Sequence, residues 1–357
     1  MFGRMMNNYY YGKSGKGDFR KEDLPETRKQ LFFDTLRTRL SALCRINLLY
    51  MLIFLPAMIV MMMAFTNVLS TTSNLLLIKE NDYAGYVSQV TENGGEIRIT
   101  EEKYNELKNA DINYGDLLDS ALFRMLIWLV PCLAITGPFT AGLSYVTRNW
   151  ARDEHAFIWT DFKDAIKENW KQALVLSIIT SILPLAVYVG WRFYGQMASN
   201  NMIMFIPQVL VVLIALIWAI SITYMHPLAV TYQLKMKDVI RNGLLMGVAR
   251  LPMSIGIRLL HCVPAVIAGL VIYLWNPMIG ALLLFGYYAL IGFSLSRFVT
   301  ASYTNAVFDR FINPRIDGAK VNQGLRETDD DDDEEDETEN GNGTENGNGT
   351  GEGDATN

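Results

Sequence analysis

Two ionisable residues stand inside an otherwise apolar run. Arg258 and His261 are three apart in Met253–Leu274, so on a helix they share one face. A charge at that depth is costly, and it marks a candidate site for a polar ligand or partner. Arg258 is also close enough to the end of the run for its guanidinium to snorkel toward lipid phosphates. Local hydrogen bonding and snorkelling therefore compete with a binding role. The other histidines, His155 and His226, fall at or beyond the ends of apolar runs and read as surface groups. A second set of residues concerns packing. Gly137, Pro138, Ala141 and Gly142 place small side chains four apart with a proline between them. Such a face lets helices approach closely in lipid. The alternative is a hinge or broken helix near a binding site. A third set, Phe162, Ile166 and Trp170, is spaced by four among Asp161, Lys163, Asp164, Lys167 and Lys171. That pattern predicts an amphipathic helix at a membrane surface.

No enzyme is indicated. The sequence has no phosphate-binding GxxxxGK[ST], no HExxH and no nucleophile elbow. Cys44, Cys132 and Cys262 lie in or beside apolar runs without metal-ligand spacing. Neither metal nor cofactor is expected, and no nucleic-acid partner.

The elements that carry these residues are membrane spans. Six apolar runs are long enough to cross a bilayer: Ile46–Phe65, Ala121–Val146, Ala173–Trp191, Met202–Tyr224, Met253–Leu274 and Pro277–Ser296. Pro56, Pro131, Pro138, Pro184, Pro207 and Pro264 lie within them, so neighbouring helices must satisfy the freed carbonyls. The expected fold is an all-α polytopic transmembrane helix bundle. Basic residues fix its orientation. They crowd the first 45 residues, the 147–172 and 225–252 connections and the segment after 296. Positive charge stays inside, so both termini are expected in the cytosol of a multi-pass cell-membrane protein.

Four regions follow: a basic N-terminal segment, 1–45; the membrane domain, 46–296; a juxtamembrane segment, 297–326; and a tail, 327–357. Within the first, Leu31, Phe32, Leu36, Leu40 and Leu43 predict an amphipathic helix on the inner surface. The loop 66–120 is the sizeable outer element. Gly94-Gly95 signals a turn, Ile97-Arg98-Ile99 a short strand, and Thr100–Leu107 a short helix capped by Thr100. The tail holds 14 acidic residues and no Lys or Arg, leaving 23 acidic against 31 basic residues before it. Like charges and Gly/Asn repeats predict disorder there, and a chain that folds without it. One internal echo stands out. Lys163–Glu168 (KDAIKE) and Lys237–Asn242 (KDVIRN) each precede a span. Duplication and shared use as an interfacial helix both explain it.

The segments Asn47–Pro56 (NLLYMLIFLP) and Thr136–Leu174, with TGPFTAGLSY, a basic residue, an acidic stretch and an aromatic-rich helix, resemble the YesL-like family of bacterial membrane proteins. That family has no known biochemical activity. The resemblance implies a place beside carbohydrate-uptake transporters and sensors. This chain differs in its long 66–120 loop and its acidic tail. The expected function is an accessory or regulatory component of carbohydrate uptake or sensing. Its expected partners are membrane lipids and a transporter subunit or membrane sensor. The alternative is a small transporter or channel for a neutral solute.

Overall fold

The computed structural model describes residues 24–111 and 113–326. The expected disordered tail, 327–357, lies outside the described residues, as do residues 1–23 of the basic N-terminal segment. Among the described residues there are helices and no strand. Six helical stretches are long and apolar enough to cross a membrane. The chain is a polytopic all-α helix bundle.

Helix α1 runs from Arg28 to Glu80 without a break. A capping box starts it: Gln30 N–H donates to Thr27 Oγ1 at 3.3 Å, and Thr27 N–H to Gln30 Oε1 at 3.2 Å. At about 1.5 Å per residue it is roughly 80 Å long, far more than the ~30 Å of bilayer hydrocarbon. It must therefore project beyond the membrane at both ends. The amphipathic segment expected to lie on the membrane surface is the first part of this helix. Leu31 and Leu43 are buried, and Phe32 and Leu36 pack on the same core, with Phe32 stacked on Phe298 at 5.2 Å. Leu40 is left exposed. The apolar stripe faces protein, not lipid.

At the far end, α2 (Tyr83–Glu92) and α3 (Glu101–Asn109) fold back on the overhang of α1. Ile78, Tyr86 and Tyr104 form a small core there. The expected short helix is present, capped by Thr100, with Glu101 and Glu102 in its first turn. The expected strand at 97–99 is not. A three-residue extended run has no neighbouring strand to satisfy its backbone, so it stays irregular.

The second span differs from expectation. The apolar run Ala121–Val146 is two helices, α4 (Tyr114–Ala134) and α5 (Gly137–Ala151), separated by a turn at Ile135 and Thr136. Pro138 lacks an N–H and so fits the first turn of α5, where no backbone partner is needed. α4 alone is long enough to cross. α5 packs along the charged start of α6 (Thr160–Ala198), which holds Lys163, Asp164, Lys167 and Lys171 ahead of its own span. Only the start of α5, at Gly137, is level with the apolar run of α6, and the rest continues along its charged start.

The remaining spans follow expectation more closely. α7 (Phe205–Thr231) follows a 3-10 turn at Met202–Met204. α8 (Met236–Ala249) is short and leads into α9 (Leu251–Leu274). α10 (Pro277–Tyr287), a π-helical segment at Tyr288–Gly292 and α11 (Phe293–Phe311) form the last stretch. The two copies of the echo differ in setting. One opens the unbroken α6, whereas the other opens α8, which breaks from its span at Arg250.

The start of α1, α5, the start of α6, the end of α7, α8 and the end of α11 assemble into a head at one end of the bundle. Its core has two parts. One holds Leu43, Ile46, Leu143, Val146, Trp150, Phe162 and Phe298. The other holds Leu176, Tyr224, Met225, Leu228, Val239, Val307 and Phe308. Both ends of the described chain lie here, since Arg326 N–H donates to the Pro25 carbonyl at 3.0 Å.

Candidate functional site: a polar pocket in the head

The turn after α5 brings arginines and a carboxylate against the last described segment. Asp153 turns the chain in a left-handed conformation, with φ of 57°. Glu154 then reaches back to Arg152, 3.2 Å from its Nε, and to Arg148 at 3.9 Å. One terminal nitrogen of Arg152 also donates to the Lys320 carbonyl at 3.2 Å and to Gln323 Oε1 at 2.9 Å, which ties the last described segment to this turn. Gly324, at φ of 85°, lets the returning chain close over it. A Cβ there would stand 2.8 Å from the Arg152 carbonyl oxygen. Between these groups lies a pocket of about 470 Å³, lined also by Thr231, Tyr232 and Asn313.

The electrostatics follow from burial. Desolvation, and then the neighbouring Arg152, hold the Arg148 guanidinium below its ordinary pKa. Burial pushes the Tyr232 phenol up to about 12, so it stays a donor, and its hydroxyl gives a 2.6 Å bond to Asn313 Oδ1. Two lining groups, Arg148 Nε and Thr231 Oγ1, are buried without a hydrogen-bond partner. The pocket can thus donate hydrogen bonds to a small polar molecule. Among the described residues no cluster of three His, Cys, Asp or Glu could hold a metal.

The residues singled out in the sequence are distributed as follows. Gly137 and Gly142 both face α6. A Cβ at Gly137 would lie 2.4 Å from the Ala173 carbonyl oxygen, and one at Gly142 2.8 Å from that of Phe162. Ala141 is fully buried, and Pro138 starts α5. Phe162 and Ile166 pack into the head core rather than against lipid. Trp170 is exposed, with Lys171 Nζ 5.6 Å from its ring centre. So the small-residue set and the amphipathic set meet each other across α5 and α6. Arg258 and His261 are elsewhere, on α9 facing α11, where His261 Nε2 is 3.0 Å from the Ser296 carbonyl oxygen.

Sequence reasoning did not single out the pocket. Arg148 and Arg152 counted only as topology charges, and Thr231, Tyr232 and Asn313 come from distant parts of the chain. The available signal was the RNWARDE spacing, which puts two arginines four apart just before a carboxylate. Asn47 was also missed as a structural centre. It is fully buried in α1. Its amide donates to the carbonyls of Tyr288 and Ala289 at 2.9 and 2.8 Å, and its Oδ1 accepts from Ser294 N–H at 3.0 Å. Those bonds satisfy the backbone that the π-helical segment leaves free.

Six spans joined to a packed head define a multi-pass helical membrane protein. A family model described as a protein of unknown function, DUF624, matches residues 121–191, which hold α5, most of α4 and α6, and three pocket residues. Over 150 residues the chain is 28% identical to the uncharacterized protein YesV of Bacillus subtilis (strain 168), covering 42% of this chain and 68% of that protein. No solved structure matches. Over residues 121–191 the chain is thus similar to the DUF624 family, which is consistent with the resemblance to YesL-like membrane proteins.

Proposed function

We propose that this protein is a non-enzymatic accessory or regulatory membrane component that works through its head. The head carries the observation on which this reading rests. Close packing, both described chain ends and a polar pocket are gathered at one end of the bundle, whereas the far halves of α7, α9 and α10 expose long apolar faces. A rigid head suits contact with another protein, and spans with little polar lining suit anchoring. The basic residues of the head support a cytosolic head with both termini inside. Association with carbohydrate uptake or sensing comes from the family resemblance, and the partner would be a permease subunit or a membrane sensor.

The experiment is purification of the intact protein in mild detergent. A permease subunit or sensor kinase present in stoichiometric amount supports this reading. A protein that purifies alone and moves a labelled sugar into vesicles overturns it in favour of a small transporter. Reporter fusions after Arg326 and within 80–110 test the orientation. An extracytoplasmic signal from the former would place the head outside.

A further inference from the structure

Where α7, α9 and α11 meet, positive charge collects without any carboxylate. Arg258 and His261 face this junction from α9, Arg297 from α11 and His226 from α7, each within electrostatic reach of Arg297. From α1, the Tyr50 phenol lies near Arg297, and Cys262 lies near Arg258. No Asp or Glu is among these neighbours. Neither guanidinium makes a hydrogen bond or ion pair with another described residue, although guanidinium groups keep their charge in proteins. Arg258 Nε and His226 Nδ1 are buried with no partner, and so is Thr223 Oγ1, one turn before His226. Buried polar groups are almost always satisfied, and unsatisfied ones beside two unpaired guanidinium groups point to an anion that binds there.

We infer that Arg258 and Arg297 form a binding site for the phosphate group of an anionic phospholipid, drawn from the leaflet on the head side. Depth supports the lipid as the source. Arg258 is seven residues from the head-side start of α9, roughly 10 Å along the axis, which brings its side chain within reach of the headgroup layer. Beside it, Ile255, Leu259 and Val266 are exposed on one side of α9 and offer acyl chains an apolar track. A phosphate takes two parallel bonds from each guanidinium fork, a geometry lysine cannot match. Tyr224, bonded to Ser254 at 2.6 Å and Tyr303 at 2.8 Å, ties α7, α9 and α11 together nearby and fixes their spacing.

The test uses the full chain. Native mass spectrometry reads the phospholipid that stays bound after detergent extraction, and melting curves compare nanodiscs of phosphatidylcholine with nanodiscs containing phosphatidylglycerol. The wild type is expected to retain an anionic lipid and to melt higher with phosphatidylglycerol. Arg258→Gln with Arg297→Gln should lose about ten-fold in retention, the factor given by about 1.4 kcal/mol of charge-assisted bonding. It should also lose the lipid-dependent shift. Arg192→Gln, at the far end, should keep both. If the double variant fails to fold, Arg258→Lys and Arg297→Lys are read instead, with weakened but measurable retention. Equal melting of the wild type in both nanodiscs, or unchanged retention in the variants, overturns the proposal. Stabilisation by inorganic phosphate alone, in detergent without lipid, overturns the lipid as source and assigns the arginine pair to a soluble anion.

Discussion

A methyl group at position 137 would meet the Ala173 carbonyl oxygen at 2.4 Å and Ser177 Cβ at 2.6 Å. One at position 142 would meet the Phe162 carbonyl oxygen at 2.8 Å and its ring at 2.9 Å. Backbone atoms yield less than side-chain tips, so even alanine forces α5 away from α6. Gly137→Ala and Gly142→Ala should each destabilise, the first more, and Gly142→Leu should cost about 1–3 kcal/mol or more. Gly256→Ala, with nothing within 4 Å, should melt with the wild type. Thermal melts in one detergent rank the four. The small-residue spacing announced a close contact, and that much was legible. It could not say that the partner is α6, met by Gly142 at its charged start and by Gly137 where its apolar run begins. Asn47 makes a second prediction at this scale. Asn47→Leu would leave two carbonyls and one N–H of the last stretch unsatisfied, at about 1–3 kcal/mol for each group that stays buried. A clear drop in melting temperature is expected. An unchanged one would show that the π-helical segment relaxes into regular helix.

Elements with about 20 apolar residues were legible because lipid demands them on every face. The limit of the second span was not. Burial in the head core and burial in lipid call for the same residue types, so Leu143 and Val146 extend the apolar run past the end of α4. Long overhangs were hidden for a related reason. Nothing in a polar stretch says whether it continues a helix, and α1 continues past its span at both ends. The far overhang is where the small cap docks. Tyr104 is 1% exposed, and its hydroxyl donates to the carbonyls of Ile78 at 3.1 Å and Asn81 at 2.5 Å. Lys108 also bonds Asn81, and Lys79 Nζ reaches the carbonyls of Lys108 and Ala110 at 2.8 and 2.6 Å. Tyr104→Phe keeps the ring and removes the hydroxyl, which should loosen the cap by about 1–2 kcal/mol while the spans stay folded. Limited proteolysis near Arg98 and Lys103 should speed up several-fold, roughly as that energy converts to an opening equilibrium. Unchanged cleavage would mean the lysine bonds alone hold the cap.

Across the whole molecule, the last described segment acts as a strap over the pocket, and Arg28 ties it to α1 and α11. Arg28, in the first turn of α1, donates to Asp309 Oδ2 at 2.7 Å and to Asn322 Oδ1 at 2.6 Å. Asp309 is 4% exposed and also accepts from Asn313, whose Oδ1 takes the Tyr232 hydroxyl of the pocket wall. Arg326 adds a weaker, exposed link to Glu26 at 3.5 Å. Residues almost 300 positions apart thus join the start of the chain to the pocket. Arg28→Ala removes both bonds and leaves a buried carboxylate with one amide partner. Hydrogen bonds to charged groups contribute about 1.5–3 kcal/mol, so the strap should open more often by one to two orders of magnitude. Trypsin should then cut at Arg315, Lys320 and Arg326 far faster than in the wild type, while the spans resist. Asp309→Asn in the Arg28→Ala background separates the two costs. It removes the uncompensated charge and keeps an acceptor for Asn313, so part of the protection should return. If cleavage in the double variant is as fast as in Arg28→Ala alone, the stranded charge is not what opens the strap, and the lost bond to Asn322 carries the effect.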